Sequence, residues 1–162
     1  MSIILGIDPG SHTTGYGVIS SDGTKHQYIA SGCVYPRNLA GGKQLYKIFA
    51  EVSKLLDIYA PTEAAIEKVF VHTNPNSALK LGEARGAAIV ALSKGDMIIA
   101  EYATREVKKT VVGFGGAAKE QVQHMVKVLL KIKAELQEDE ADALAVALCH
   151  AQHRGRRLTI NN

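Results

Sequence analysis

Apolar residues fall in short continuous runs near the start of the chain and in helix-spaced stripes further on. Ile3–Ile7 is almost unbroken in apolar character, as suits a strand covered on both faces. Gly15–Ser20 and Gln27–Tyr35 read as two further strands, with the turn residues Ser21, Asp22 and Gly23 between them. The opening of the chain therefore predicts an antiparallel three-strand meander.

Leu45, Ile48, Phe49, Val52, Leu55, Leu56 and Tyr59 then recur at helical spacing, and Pro61 closes that helix. "EAAIEKVF" predicts a short strand ending near Glu67. Asn74 and Pro75 supply an N-cap and first helical position for a helix running to about Ser93. "DMIIAEY" predicts another strand, and Thr104 is the expected cap of a short helix ending near Gly113. Val122, Met125, Val126, Leu129 and Leu130 mark a further helix, and "DEADALAVALCHAQH" marks the last. The predicted order is βββαβαβααα, an α/β chain with a mixed five-stranded sheet flanked by helices.

At 162 residues, a single domain with a sizeable core is expected over 1–162, with 153–162 as a flexible basic tail. Hydrophobic content of 46% and charged content of 22% exclude a disordered chain. No apolar run approaches a membrane span, and the N-terminus lacks a signal-peptide pattern, so no membrane association is expected. Cys33 and Cys149 form no CxxC and are expected to stay reduced, which places the protein in the cytoplasm.

The first strand runs straight into Asp8, and a buried carboxylate needs a positive partner. Glu67 ends a second apolar strand, joined to the first by a helical crossover. That connection makes the two strands candidates for parallel neighbours, with both acids at one edge. Asp139 and Asp142 are three residues apart on the last helix and share a face. If that helix packs at the same edge, four carboxylates converge, and like charges so placed call for cations. Two Mg²⁺ ions suit an all-oxygen site, and a metal pair clamps both oxygens of a phosphodiester displacement.

Taken singly, each acid has an ordinary explanation. Asp8 can serve a turn, Glu67 can be a solvated strand-end acid, and Asp139 with Asp142 can complement a helix dipole. Glu140 is assigned to that last role, since it points about 100° away from Asp139 on a helix of 3.6 residues per turn. Ser11, Thr13 and Thr14 follow Asp8 and are expected to stabilise the turn.

The stretches "GIDPGSHTTGYGVI", "IEKVF", "NPNSALKLGEARGAAI", "VKKTVVGFGGAAKEQVQHMV" and "DEADALAVALCHA" resemble the bacterial RuvC family of Holliday junction resolvases, from about Ile3 to about His153. The resemblance implies a ribonuclease H-like fold and a homodimer. It implies paired symmetric nicks across four-way DNA junctions with Mg²⁺ or Mn²⁺, leaving 5′-phosphate ends, in recombination and repair. It places the catalytic acids on Asp8, Glu67, Asp139 and Asp142, and DNA-contacting lysines on Lys108 and Lys119. It also places an aromatic that stacks on a junction base at Phe70. Work alongside the RuvA–RuvB branch-migration complex is implied as well. Glu140 departs from the family pattern, which often has small residues between the two aspartates, and the "VHTNPN" loop need not match other members.

The net charge of +3 reads differently on this view. Setting aside the four acids leaves twelve acids against nineteen basic residues, or +7, a balance suited to a polyanionic partner. Lys108 and Lys119 are expected to contact phosphates, with a solvated helix face as the plain alternative. Phe114, between Gly113 and Gly115, is a second stacking candidate. Ala78, Gly82 and Gly86 form a small-residue ridge that suits packing on the sheet or on a two-fold mate. Two other functions compete: a phosphate loop of the actin-like and sugar-kinase ATPases, which need two such domains, and a non-cleaving ribonuclease H-like nucleic-acid binder.

Overall fold

A computed structural model describes residues 1–69 and 74–154. The meander is β1 (Ser2–Asp8), β2 (Thr14–Ser21) and β3 (His26–Val34), followed by α1 (Gly42–Tyr59). Then come β4 (Glu63–Glu67), α2 (Pro75–Leu92), β5 (Ile98–Tyr102), α3 (Thr104–Val112), α4 (Lys119–Leu130) and α5 (Glu138–His153). This is the predicted order, with one extra 3-10 turn over Pro36–Asn38.

The sheet order is β3-β2-β1-β4-β5. The meander pairs antiparallel, whereas β1, β4 and β5 run parallel. The crossover through α1 brings Ile7 opposite Ile66, so Asp8 and Glu67 end neighbouring strands at the same edge. Strand alternation then sorts the core. Leu5, Ile7, Val18 and Ile66 pack with α1 and α2, while Ile4, Ile19, Ala65 and Ala100 pack with α3, α4 and α5.

Local signals fix two of these helix ends. The Asn74 side chain accepts from the backbone N–H groups of Asn76 (3.0 Å) and Ser77 (3.4 Å), as its position before Pro75 predicts. α1 ends on Ala60 in the left-handed region, directly before Pro61. Thr104 departs from expectation: it is the first residue of α3, and Ala103 precedes it as N-cap. The Ala103 N–H donates to the Glu106 carboxylate at 3.2 Å, and Thr104, being the first helical residue and not the cap, keeps its hydroxyl for another partner.

A tail is expected from 153 onward, but His153 closes α5 and Arg154 pairs with Glu63 at 3.0 Å. His150 beside it is buried and bridges Glu63 (2.7 Å) and the Tyr102 hydroxyl (2.8 Å). Because a carboxylate only accepts, His150 carries its proton on Nε2 and accepts from Tyr102 at Nδ1. This polar pin fixes the far end of α5. Arg156 and Arg157 lie outside the described residues.

Candidate active site

Asp8 continues a strand whose previous residue on the same face is Gly6, and Asp8 pairs with Gly15 on β2. α5 lies across these glycines. A Cβ on Gly6 would stand 2.1 Å from the Ala143 carbonyl oxygen, and one on Gly17 would stand 2.6 Å from the Leu144 side chain. These close approaches lower the first turn of α5, with Asp139 and Asp142, onto the end of β1. Sequence reasoning missed that device. Its signal was Gly6, Gly15 and Gly17 at alternating positions in otherwise apolar strands, where glycine weakens the strand and marks a close approach.

The outcome is a cleft of about 360 Å³ lined by Asp8, Glu67, Asp139 and Asp142, with Thr104, Lys108 and Lys119 among its walls. Carboxylate oxygens of Asp8, Asp139 and Asp142 lie within 4.8 Å of one another. Burial, reinforced by the charges of Asp142, Glu67 and Asp139, pushes the Asp8 carboxyl up to about 9. Burial also lifts Asp142 to about 6, although Lys119 beside it pulls the other way. Such a group is costly to ionise until a cation arrives, and three hard oxygen donors at this spacing fit a divalent ion.

Glu67 lines the cleft, but its carboxylate is not part of that close trio. It accepts instead from the Thr104 hydroxyl at 2.5 Å. Lys119, the first residue of α4, pairs with Glu138 and lies 3.4 Å from Asp142. Burial opposes its charge, but the pull of these two acids outweighs burial and raises its pKa. Glu140 takes the other side of α5, bonded to Ser31 on β3, and burial raises its carboxyl. It does not line the cleft, in keeping with its separate assignment.

Thr14 donates to the Gly10 carbonyl at 3.0 Å and accepts from the Gly10 N–H at 3.3 Å, closing the turn after Asp8. Gln44 ties that turn to α1 through the Ser11 carbonyl at 2.8 Å. Phe114 is exposed beside the cleft-forming helices α3 and α4. Phe70 lies outside the described residues.

Residues 4–150 match the family model described as crossover junction endodeoxyribonuclease RuvC. A protein of that name from Psychromonas ingrahamii is 54% identical over 93% of this chain and 87% of its own. One from Pseudoalteromonas atlantica is 56% identical over the same shares. The solved structure of Thermus thermophilus RuvC with a Holliday junction substrate superposes with a TM-score of 0.91 at 31% identity, covering 99% of this chain and 100% of that one.

Proposed function

Since the chain belongs to the crossover junction endodeoxyribonuclease RuvC family, we infer from its acidic cleft that it resolves Holliday junctions by metal-dependent cleavage of DNA strands. The observation that carries this is the convergence of Asp8, Asp139 and Asp142 within 4.8 Å, in one cleft with Glu67. These four acids are the proposed metal ligands, and two Mg²⁺ ions, replaceable by Mn²⁺, are the proposed cofactor. When bound, such ions activate water for in-line attack and stabilise the leaving 3′-oxygen, giving 5′-phosphate ends.

The remaining tasks fall to the chain's own side chains. Lys108 lines the cleft wall and is proposed to contact a strand phosphate. Lys119, 3.4 Å from Asp142, is proposed to contact a phosphate of the bound DNA. Phe70 is proposed to stack on a base at the junction centre, in keeping with the family resemblance.

A homodimer suits the symmetry of a four-way junction, one site for each cut strand. The small-residue ridge of α2 supports it. Gly82 and Gly86 have nothing within 4 Å of where a Cβ would stand, and Leu79 and Val90 are exposed on the same helix. Those glycines therefore do not pack on the chain's own sheet. Action in the bacterial cytoplasm beside the RuvA–RuvB complex belongs to the same proposal. No helix among the described residues is long and apolar enough to cross a membrane.

Labelled four-way junction incubated with the protein and Mg²⁺ tests this reading. Paired nicks at symmetric positions, with linear duplex left intact, are the expected result. Binding without cutting would favour the non-cleaving module.

A further inference from the structure

Two bonds from different elements fix Glu67, and neither comes from the other acids. From α2, Arg85 Nε donates to the Glu67 backbone carbonyl at 3.4 Å while its other end pairs with Glu101 on β5. From the start of α3, Thr104 donates its hydroxyl to Glu67 Oε1 at 2.5 Å. The first bond steadies the strand end. The second engages one carboxylate oxygen, Oε1.

A glutamate at a strand end has three side-chain torsions to fix, and its loss of rotamer freedom counts against metal binding. A charge-assisted hydroxyl bond fixes those torsions before the ion arrives. Glu67 itself lies outside the close Asp8–Asp139–Asp142 trio. Thr104 and Lys108 are one turn apart on α3, and both line the cleft. The helix that holds Glu67 in place is thus the helix that offers a lysine to DNA.

We propose that Thr104 is a positioning residue for this site: its hydroxyl orients Glu67 so that Oε2 faces the divalent cation, which ties metal affinity to the placement of α3. The proposal rests on Glu67 being a metal ligand, so the test separates the two. Mn²⁺ affinity is measured without DNA, by the paramagnetic resonance of the free ion, for wild type, Thr104→Val, Thr104→Ser and Glu67→Gln.

Valine keeps the shape of threonine and loses the donor. Thr104→Val is expected to weaken Mn²⁺ binding by about tenfold, the usual scale for removing a hydrogen-bond partner of a metal ligand. Its melting temperature in chelator should stay at the wild-type value. Thr104→Ser, which restores the donor, should bind Mn²⁺ like wild type. Wild-type affinity in Thr104→Val, with weakened affinity in Glu67→Gln, overturns the positioning role and leaves the metal site standing. Wild-type affinity in Glu67→Gln removes Glu67 from the site and the proposal with it. Equal losses of melting temperature in both Thr104 variants would assign the residue to the helix start and also count against the proposal.

Discussion

A Cβ built on Gly15 would stand 2.0 Å from the carbonyl oxygen of Asp139, a separation no side chain tolerates. The bare backbone of β2 is therefore the seat of the helix turn that carries two of the four acids. Gly15→Ala must push α5 away from the sheet. We expect a loss of about 1–3 kcal/mol of stability, typical of overpacking. At this chain length that lowers Tm by roughly 2–4 °C per kcal/mol. Metal-dependent cutting should fall further than stability does, because Asp139 moves with the helix. Gly42→Ala, at the open start of α1 with nothing within 4 Å, is the control and should melt like wild type.

The acids give the most direct test of the site. Asp8→Asn, Glu67→Gln, Asp139→Asn and Asp142→Asn should each cut junctions about a hundredfold more slowly or worse, since a metal supplies several kcal/mol of charge stabilisation and each 1.36 kcal/mol is tenfold in rate. Junction binding in the absence of cutting should persist. Glu140→Gln, on the β3 side of α5, should retain cleavage. A single-turnover assay on a labelled junction reads both outcomes, and near-native cutting by any of the four variants would remove that residue from the site.

Asp8 also makes stability depend on pH. Its folded pKa, about 9, lies above the ordinary 3.8, so the folded state holds a proton that the unfolded chain releases. The stabilisation from the protonated form is full below pH 3.8 and is lost as pH rises toward 9. In chelator, Asp8→Asn should melt above wild type by a margin that widens between pH 5 and about 9. Added Mg²⁺ should stabilise wild type more at the alkaline end, because binding needs the deprotonated carboxylates. A margin that stays constant with pH would show that Asp8 does not titrate across this window.

Lys108 and Lys119 should reveal themselves through salt. Alanine at either position should weaken junction binding and flatten its dependence on salt by about one unit of slope for each phosphate no longer neutralised. Lys119→Ala carries a second effect, since it strips the only cation near Asp142 among the described ion pairs. Its metal-free form should melt lower than that of Lys108→Ala. Titrations of junction DNA at several salt concentrations check the slopes, and unchanged affinity throughout would exclude phosphate contact.

The proposed stacking role of Phe70 is tested by comparing junction binding with plain duplex binding. Phe70→Ala should weaken four-way junction binding by about 1–3 kcal/mol, the worth of one stacked base, and should leave linear duplex binding almost unchanged. Melting temperature and junction affinity measured on one preparation distinguish this from a core role. A strongly destabilised variant that still binds junctions normally would return Phe70 to the core.

The sequence determined the elements because their signals are local. Continuous apolar residues make Ile3–Ile7 a buried strand, helical spacing makes Leu45–Tyr59 a helix, and Asn74 before Pro75 starts another, all within a few residues of chain. It also indicated Asp8 and Glu67 at one edge, because a helical crossover between two strands favours parallel pairing. Thr104 marks where local signals stop. A threonine before a helical stretch has the right chemistry for a cap, yet Thr104 is the first helical residue and its hydroxyl bonds to Glu67, 37 residues away.

Only the tertiary structure decided how the acids are grouped. The depth of α5 on the sheet depends on Gly6, Gly15 and Gly17 meeting Ala143, Asp139 and Leu144, approaches between residues more than a hundred positions apart. That depth gathers Asp8, Asp139 and Asp142 into one trio, while Glu67, bonded to Thr104, lies outside it. Lys119 reaches Asp142 for the same reason, since α4 packs against α5 through Val122 and Val126. Side-chain chemistry can be read one residue at a time, but the distance between two carboxylates is set by the backbones that carry them.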